Sequence, residues 1–130
     1  MEKMSATTNA INWFEIPMTD VLRAKAFYER IFEIEMISID MMGMQMHMFP
    51  SAMEPGKASG GLVKSENHVP SQTGCVIYLN GNPDLQAVLN RIEPAGGSIT
   101  MPKTFIDADT GYMAFFIDSE GNSMGLHSNT

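Results

Sequence analysis

Residues 11–32, INWFEIPMTDVLRAKAFYERIF, hold the pattern that decides the fold. The aromatic and β-branched residues at 11–17 end at a proline, which predicts a short strand. Asp20 offers a side-chain acceptor for a helix N-cap, and apolar residues recur behind it at helical spacing. We therefore predict an amphipathic helix over 20–33 that is entered directly from a strand.

The residues that follow predict three more strands. Side-chain alternation at 34–40 and again at 44–49, with Gly43 between them, indicates a hairpin. Residues 50–57 are predicted to form a loop, and residues 60–63 a short strand. The first half of the chain thus has the order strand, helix, strand, strand, strand.

The same order returns after a polar linker at 65–73. A strand at 75–79 is followed by a helix that opens at Asp84 and ends around Pro94 and Gly96. Three further strands are predicted, at 98–106, 112–117 and 123–127. The buried stripes of the two helices match at a constant offset: Ala24, Phe27, Tyr28 and Ile31 correspond to Leu85, Val88, Leu89 and Ile92.

This repeat predicts an α+β fold of two tandem βαβββ modules that form a half-open cup. We place the modules at 10–64 and 74–128, in a single domain behind a flexible tail at 1–9. A chain of 130 residues, 44% of them apolar, is long enough for one core and too short for two. The concave surface between the modules is where a small molecule would bind.

Composition excludes several classes of function. The net charge of −7 disfavours binding to nucleic acid or to an anionic membrane surface. Cys75 is the one cysteine, so no disulfide can form within the chain. The first residues lack a signal-peptide pattern, and the longest mainly apolar stretch, 36–53, is too polar to span a bilayer. We therefore expect a cytoplasmic protein.

Two segments together resemble one known group of proteins. Residues 11–32 are similar to the opening strand and helix of the vicinal oxygen chelate superfamily, and residues 111–128, GYMAFFIDSEGNSMGLHS, are similar to its closing hairpin. The superfamily contains glyoxalase I, bleomycin resistance proteins and extradiol dioxygenases. The resemblance implies paired βαβββ modules, a homodimer, and in its enzymes a divalent metal such as Zn, Ni, Mn or Fe.

The resemblance also implies where metal ligands would lie. They would fall on Trp13, Gly61, Cys75 and Gly125, from the first, fourth, fifth and eighth strands. Tryptophan offers only an N–H donor, and glycine has no side chain to bind a metal. We therefore predict that the usual metal site is lost and that the cup binds a small apolar or aromatic molecule without a cofactor.

Glu15 and His127 are the predicted catalytic or polar contact residues. Each lies two positions after a ligand position, so it should share that sheet face. Glu15 would act as a general base or hold a cation. The alternative hypothesis is a metal-dependent lyase, isomerase or dioxygenase-like enzyme, in which Glu15 and His127 with Cys75 or His47 form a shifted metal site.

The remaining predicted ligand contacts are Trp13, His47, Cys75, Tyr112 and Phe116, of which the aromatic residues would supply stacking area. Ordinary structural roles stay open for several candidates. Glu15 could be ion-paired or hydrated, His127 could be a hydrogen-bonded strand residue, and Cys75 could be a small buried thiol. His68, in the linker, is predicted to be exposed.

Overall fold

The structure is a computed structural model that describes residues 2–52, 54 and 57–130. Part of the predicted loop at 50–57 therefore lies outside the described residues, as does the first residue of the tail. Residues 2–12 contain no helix or strand. The flexibility of the tail stays a prediction.

The α+β fold with two tandem βαβββ modules is confirmed. The first module contains β1 (Trp13–Pro17), α1 (Val21–Phe32), β2 (Ile37–Met41), β3 (Met44–Met48) and β4 (Ser59–Lys64). The second contains β5 (Tyr78–Asn80), α2 (Leu85–Ala95), β6 (Ser98–Asp107), β7 (Gly111–Ile117) and β8 (Ser123–Ser128). The largest differences from the prediction are at strand starts: β1 begins at 13 and not 11, β2 at 37 and not 34, and β5 at 78 and not 75, whereas α2 ends before Gly96 as predicted.

Local chemistry explains where the helices begin and end. The Asp20 carboxylate accepts the Arg23 backbone N–H at 3.0 Å, and the Asp84 carboxylate accepts the Gln86 backbone N–H at 2.9 Å. Both aspartates are therefore N-caps of the expected kind. At the other end of α2, Gly96 adopts the left-handed conformation at φ 109°, which glycine reaches without steric cost.

Each module forms its own four-stranded sheet. The first sheet has the order β1-β4-β3-β2 and the second has the order β5-β8-β7-β6, with one parallel pair, β1/β4 or β5/β8, in each. Glu15 pairs with Gly61 in the first sheet, and Tyr78 pairs with Gly125 in the second. The structural counterpart of Glu15 is therefore Tyr78.

A single apolar core joins the modules. It contains both predicted helix stripes together with one side-chain set from each sheet, including Ile16, Leu62, Leu79, Ala114, Phe116 and Leu126. The helices α1 and α2 contact each other within it. We call the sheet faces that carry these core residues the helix faces, and the opposite faces the cup faces.

A polar junction also ties the two modules together. The Glu120 carboxylate, in the turn before β8, accepts the backbone N–H of Asp20 at 2.7 Å and the guanidinium of Arg23 at 2.7 Å. Burial alone would raise the pKa of Glu120, but the hydrogen bonds from Arg23 and from the start of α1 outweigh it and lower the pKa to about 2. In the same turn, Asp118 accepts the buried Tyr28 hydroxyl at 2.7 Å.

Candidate functional site

The cup face of the second sheet carries two adjacent rows of side chains. Tyr78, Gly125 and Phe115 form one row across β5, β8 and β7. The Tyr78 and Phe115 rings lie 5.5 Å apart, and a Cβ added to Gly125 would lie 2.7 Å from the Tyr78 ring. The tyrosine ring therefore covers Gly125, and the two rings make an aromatic floor.

The next row, Asn80, His127 and Met113, lies beside a cavity of about 430 Å³. The His127 Nε2–H donates to the Thr110 carbonyl at 2.6 Å, which leaves Nδ1 as the ring's other hydrogen-bonding atom. Apolar and polar side chains both line the cavity: Tyr78, Leu79, Asn80, Asn82, Ile106, Thr110, Met113 and His127. We call this cavity the cup pocket.

The cup face of the first sheet carries a hydrogen-bonded chain of polar side chains. The Trp13 indole N–H donates to Glu15 at 3.3 Å, and the His68 Nε2–H donates to the other Glu15 oxygen at 2.8 Å. The Ser65 hydroxyl is hydrogen-bonded to His68 Nδ1 at 2.6 Å and holds the imidazole ring in place. Both Glu15 and His68 are only partly exposed. We call this set the Glu15–His68 cluster.

The comparisons with known proteins agree with the fold. The model of the Glyoxalase/Bleomycin resistance protein/Dioxygenase superfamily matches residues 10–125. The chain belongs to this superfamily. No protein with curated annotation matches the sequence.

Several solved structures of the glyoxalase/bleomycin resistance group share the fold. A glyoxalase/bleomycin resistance protein from Albidiferax ferrireducens T118 has a TM-score of 0.67 at 16% identity, over 94% of this chain and 100% of that one. TnmS3, an antibiotic binding protein from Streptomyces sp. CB03234, has a TM-score of 0.63 at 21% identity, over 97% and 100%. A glyoxalase I mutant from Zea mays has a TM-score of 0.67 at 18% identity, over 91% of this chain. The chain spans about half of the maize enzyme's length, 46%.

The residues present do not fit the superfamily's usual metal site. Because Tyr78 is the counterpart of Glu15, the counterpart of Trp13 is Val76 and not Cys75, which corrects the predicted position. None of Trp13, Gly61, Val76 and Gly125 has a side chain that binds a divalent metal. The Tyr78 ring also fills the space in which a longer side chain at Gly125 would lie.

The candidate ligands of the shifted metal site have separate partners. Glu15 contacts Trp13 and His68, whereas His127 contacts the Thr110 carbonyl. Across residues 2–52, 54 and 57–130, no three His, Cys, Asp or Glu side chains are arranged to hold a metal ion. The structure instead brings Glu15 together with His68 on the cup face of the first sheet.

Phe116 and Tyr112 are corrections to the predicted cup lining. Phe116 is 0% exposed, and its ring lies 6.2 Å from that of Phe27 in the core. Tyr112 occurs on the same helix face of β7, packs against the core and has the Lys103 ammonium 4.4 Å from its ring centre. Neither side chain reaches the cup face. Their neighbours Met113 and Phe115 lie there instead.

His47 and Cys75 also lie outside the cup. His47 is 7% exposed on the helix face, where it accepts from Ser38 at 2.8 Å and donates to the Val21 carbonyl at 2.9 Å. Burial lowers the pKa of His47. Cys75 precedes β5 and is exposed, so the interpretation as a buried thiol is also wrong.

His68 is the site residue that the sequence interpretation missed. It was expected to be exposed in the linker, yet it is partly buried against Glu15, 53 positions away. The signal that could have suggested an ordered role is the short spacing from Ser65, whose hydroxyl is hydrogen-bonded to His68.

Within the described part of the chain, no helix is long and apolar enough to cross a membrane.

Proposed function

We propose that this superfamily member binds a small apolar or aromatic molecule in the cup pocket, without the usual divalent metal. The observation that carries the proposal is the Tyr78 ring lying over Gly125, because it puts an aromatic surface where the superfamily's enzymes hold a metal ligand. TnmS3, a structural neighbour, is an antibiotic binding protein, which supports a small organic ligand.

The chemistry of the cup pocket supports this ligand class. The Tyr78 ring lines the pocket and offers an aromatic surface to a ligand, and the Phe115 ring packs against Tyr78 at an angle of 55° and supports it. Met113 supplies a flexible apolar contact, while the Nδ1 of His127 can orient one polar group of the ligand. A volume of about 430 Å³ lies within the range of small-molecule sites.

The test uses a neutral fluorescent ligand, N-phenyl-1-naphthylamine, titrated into purified protein. Tyr78→Ala removes half of the aromatic floor, and we expect about a ten-fold weaker affinity. Phe105→Ala is the matched control, because Phe105 is an exposed aromatic residue of the same sheet and does not line the pocket. Met113→Glu places a negative charge in the cup pocket. The proposal would be overturned if N-phenyl-1-naphthylamine bound equally well to wild type, Tyr78→Ala and Met113→Glu.

A second candidate function rests on the Glu15–His68 cluster. A partly buried carboxylate hydrogen-bonded to a histidine can accept a proton from a substrate or hold a divalent metal. This candidate is a metal-dependent lyase, isomerase or dioxygenase-like enzyme. Metal analysis after incubation with Zn, Ni, Mn or Fe separates the candidates: stoichiometric metal that is absent from Glu15→Gln would support the enzyme and contradict the metal-free proposal.

We also propose a cytoplasmic homodimer. Large apolar side chains on or beside the sheets, among them Ile37, Val76 and Phe105, are exposed in the single chain, and a second copy would cover some of this area. An exposed lone cysteine, Cys75, suits a reducing compartment. A monomeric mass from solution scattering would contradict the dimer.

A further inference from the structure

A second cavity lies between the two modules, next to β5. Its volume is about 410 Å³. Phe14, Phe32 and Phe49 of the first module form one wall, and Tyr78, Asn80 and Arg91 are among the residues that the second module contributes. We call this cavity the seam cleft. It shares only residues of β5 and the following loop with the cup pocket.

The apolar wall of the seam cleft is held in place by the core. The Phe14 and Phe49 rings lie 5.7 Å apart, and the Phe49 ring makes an edge contact with buried Tyr28 at 5.6 Å. The Phe32 ring is stacked with the Tyr28 ring at a centroid distance of 6.4 Å. Because these rings are packed yet partly exposed, they form a preformed surface for an apolar or aromatic ligand.

The polar groups of the seam cleft are hydrogen-bond donors. Arg91 donates Nε to the Ile31 carbonyl at 2.8 Å and pairs through Nη1 with Glu33 at 3.2 Å, so the guanidinium is oriented and, among the described residues, Nη2 is left to donate. The Asn80 Oδ1 accepts two hydrogen bonds from Asn82, which leaves the Asn80 Nδ2 as a donor. None of the described residues that line the cleft is acidic.

We propose that the seam cleft binds a small aromatic or apolar carboxylate. The ring would lie against Phe14 and Phe49, and the carboxylate would accept from Arg91 and Asn80. A planar guanidinium matches carboxylate geometry, and a charged hydrogen bond is among the stronger contacts available to it. The seam cleft shares residues of β5 and the following loop with the cup pocket, but this proposal does not depend on a ligand binding in the cup pocket.

The experiment measures binding of 2-naphthoate by isothermal titration calorimetry, with the neutral analogue 2-naphthalenemethanol alongside. Arg91→Met should weaken 2-naphthoate binding about ten-fold or more and leave the alcohol unchanged. Arg30→Met is the matched control, because Arg30 also donates to a carbonyl of the other helix, that of Pro94 at 2.8 Å, but does not line the cleft.

Two further variants keep the test decisive. Glu33→Gln removes the carboxylate that competes for Arg91, so 2-naphthoate should bind a few-fold more tightly. Asn80→Asp keeps the acceptor for Asn82 but replaces the free donor by a negative charge, so binding should be lost even if Arg91→Met fails to fold.

The contradicting results are equally specific. The proposal fails if the alcohol binds as tightly as 2-naphthoate, or if folded Arg91→Met and Asn80→Asp both bind 2-naphthoate like the wild type. Met113→Glu, in the cup pocket, separates this outcome from the cup-pocket proposal, because it should abolish N-phenyl-1-naphthylamine binding and leave 2-naphthoate binding intact.

Discussion

Replacing Glu120 by glutamine tests whether the polar junction holds the two modules together. The Glu120 side chain is 0% exposed and accepts backbone N–H groups of Thr19 and Asp20 as well as the Arg23 guanidinium. Glutamine keeps one acceptor for the backbone groups but places an amide N–H₂ against Arg23. The charged hydrogen bond to Arg23 is therefore lost, while the shape of the junction is kept.

The size of the effect follows from the pKa of Glu120. It is lowered from 4.5 to about 2, which corresponds to at most about 3 kcal/mol of folding free energy. Because the Arg23 side chain is 53% exposed, solvent screens part of its interaction with Glu120. We therefore expect Glu120→Gln to lower the free energy of unfolding by about 2 kcal/mol at neutral pH. Since the folded pKa is the lower one, this stabilisation is complete above pH 4.5 and disappears as the pH falls through about 2.

Urea denaturation of wild type and Glu120→Gln at about pH 7 and about pH 3 measures both the loss of stability and its dependence on pH. The difference in unfolding free energy should shrink to less than half at the lower pH. Glu54→Gln is the control, because its pair with Lys57 at 3.4 Å is exposed and should be worth under about 0.5 kcal/mol. A Glu120→Gln loss below about 0.5 kcal/mol, or one of equal size at both pH values, would refute the reasoning.

Three further predictions follow from buried groups. Tyr28→Phe removes the hydroxyl bound to Asp118 and should cost about 1–3 kcal/mol, measured by urea denaturation. Burial lowers the pKa of His47 below 6.5, so the contribution of His47 to stability is present above that pH and is lost as the pH falls. Urea denaturation between about pH 7 and about pH 5 should therefore show a steeper decline of the unfolding free energy in wild type than in His47→Gln. Gly125→Ala should lower the melting temperature, because the new methyl group meets the Tyr78 ring, and Tyr78→Ala should relieve most of that loss. Additive effects of these two substitutions would contradict the contact.

The helices could be predicted from sequence because their signals are local. The caps Asp20 and Asp84 act on N–H groups two or three residues away, and the buried stripes follow from helical spacing. The strand at 75–79 was misplaced because strand pairing is not local: only Tyr78–Asn80 pair with β8. Because of that difference, the implied fifth-strand metal-ligand position is Val76 and not Cys75.

The faces of β7 could not be predicted because both are apolar. In residues 112–117 both alternate sets are apolar, so period 2 does not say which one meets the helices. Phe116 was therefore placed in the cup although it lies in the core. In β1 the faces differ, and the shared face of Trp13 and Glu15 is found in the structure, where the two side chains are hydrogen-bonded.

Tyr78 and Gly125 are best understood as one complementary pair. A tyrosine ring can lie flat across β8 only where the paired residue has no side chain, and the glycine leaves space that only a neighbouring ring fills. The glycine that stands at the implied eighth-strand ligand position is thus also the residue that makes an aromatic floor possible. Because Tyr78 also lines the seam cleft, the two proposed sites have a wall in common, and the position of this ring sets the shape of both.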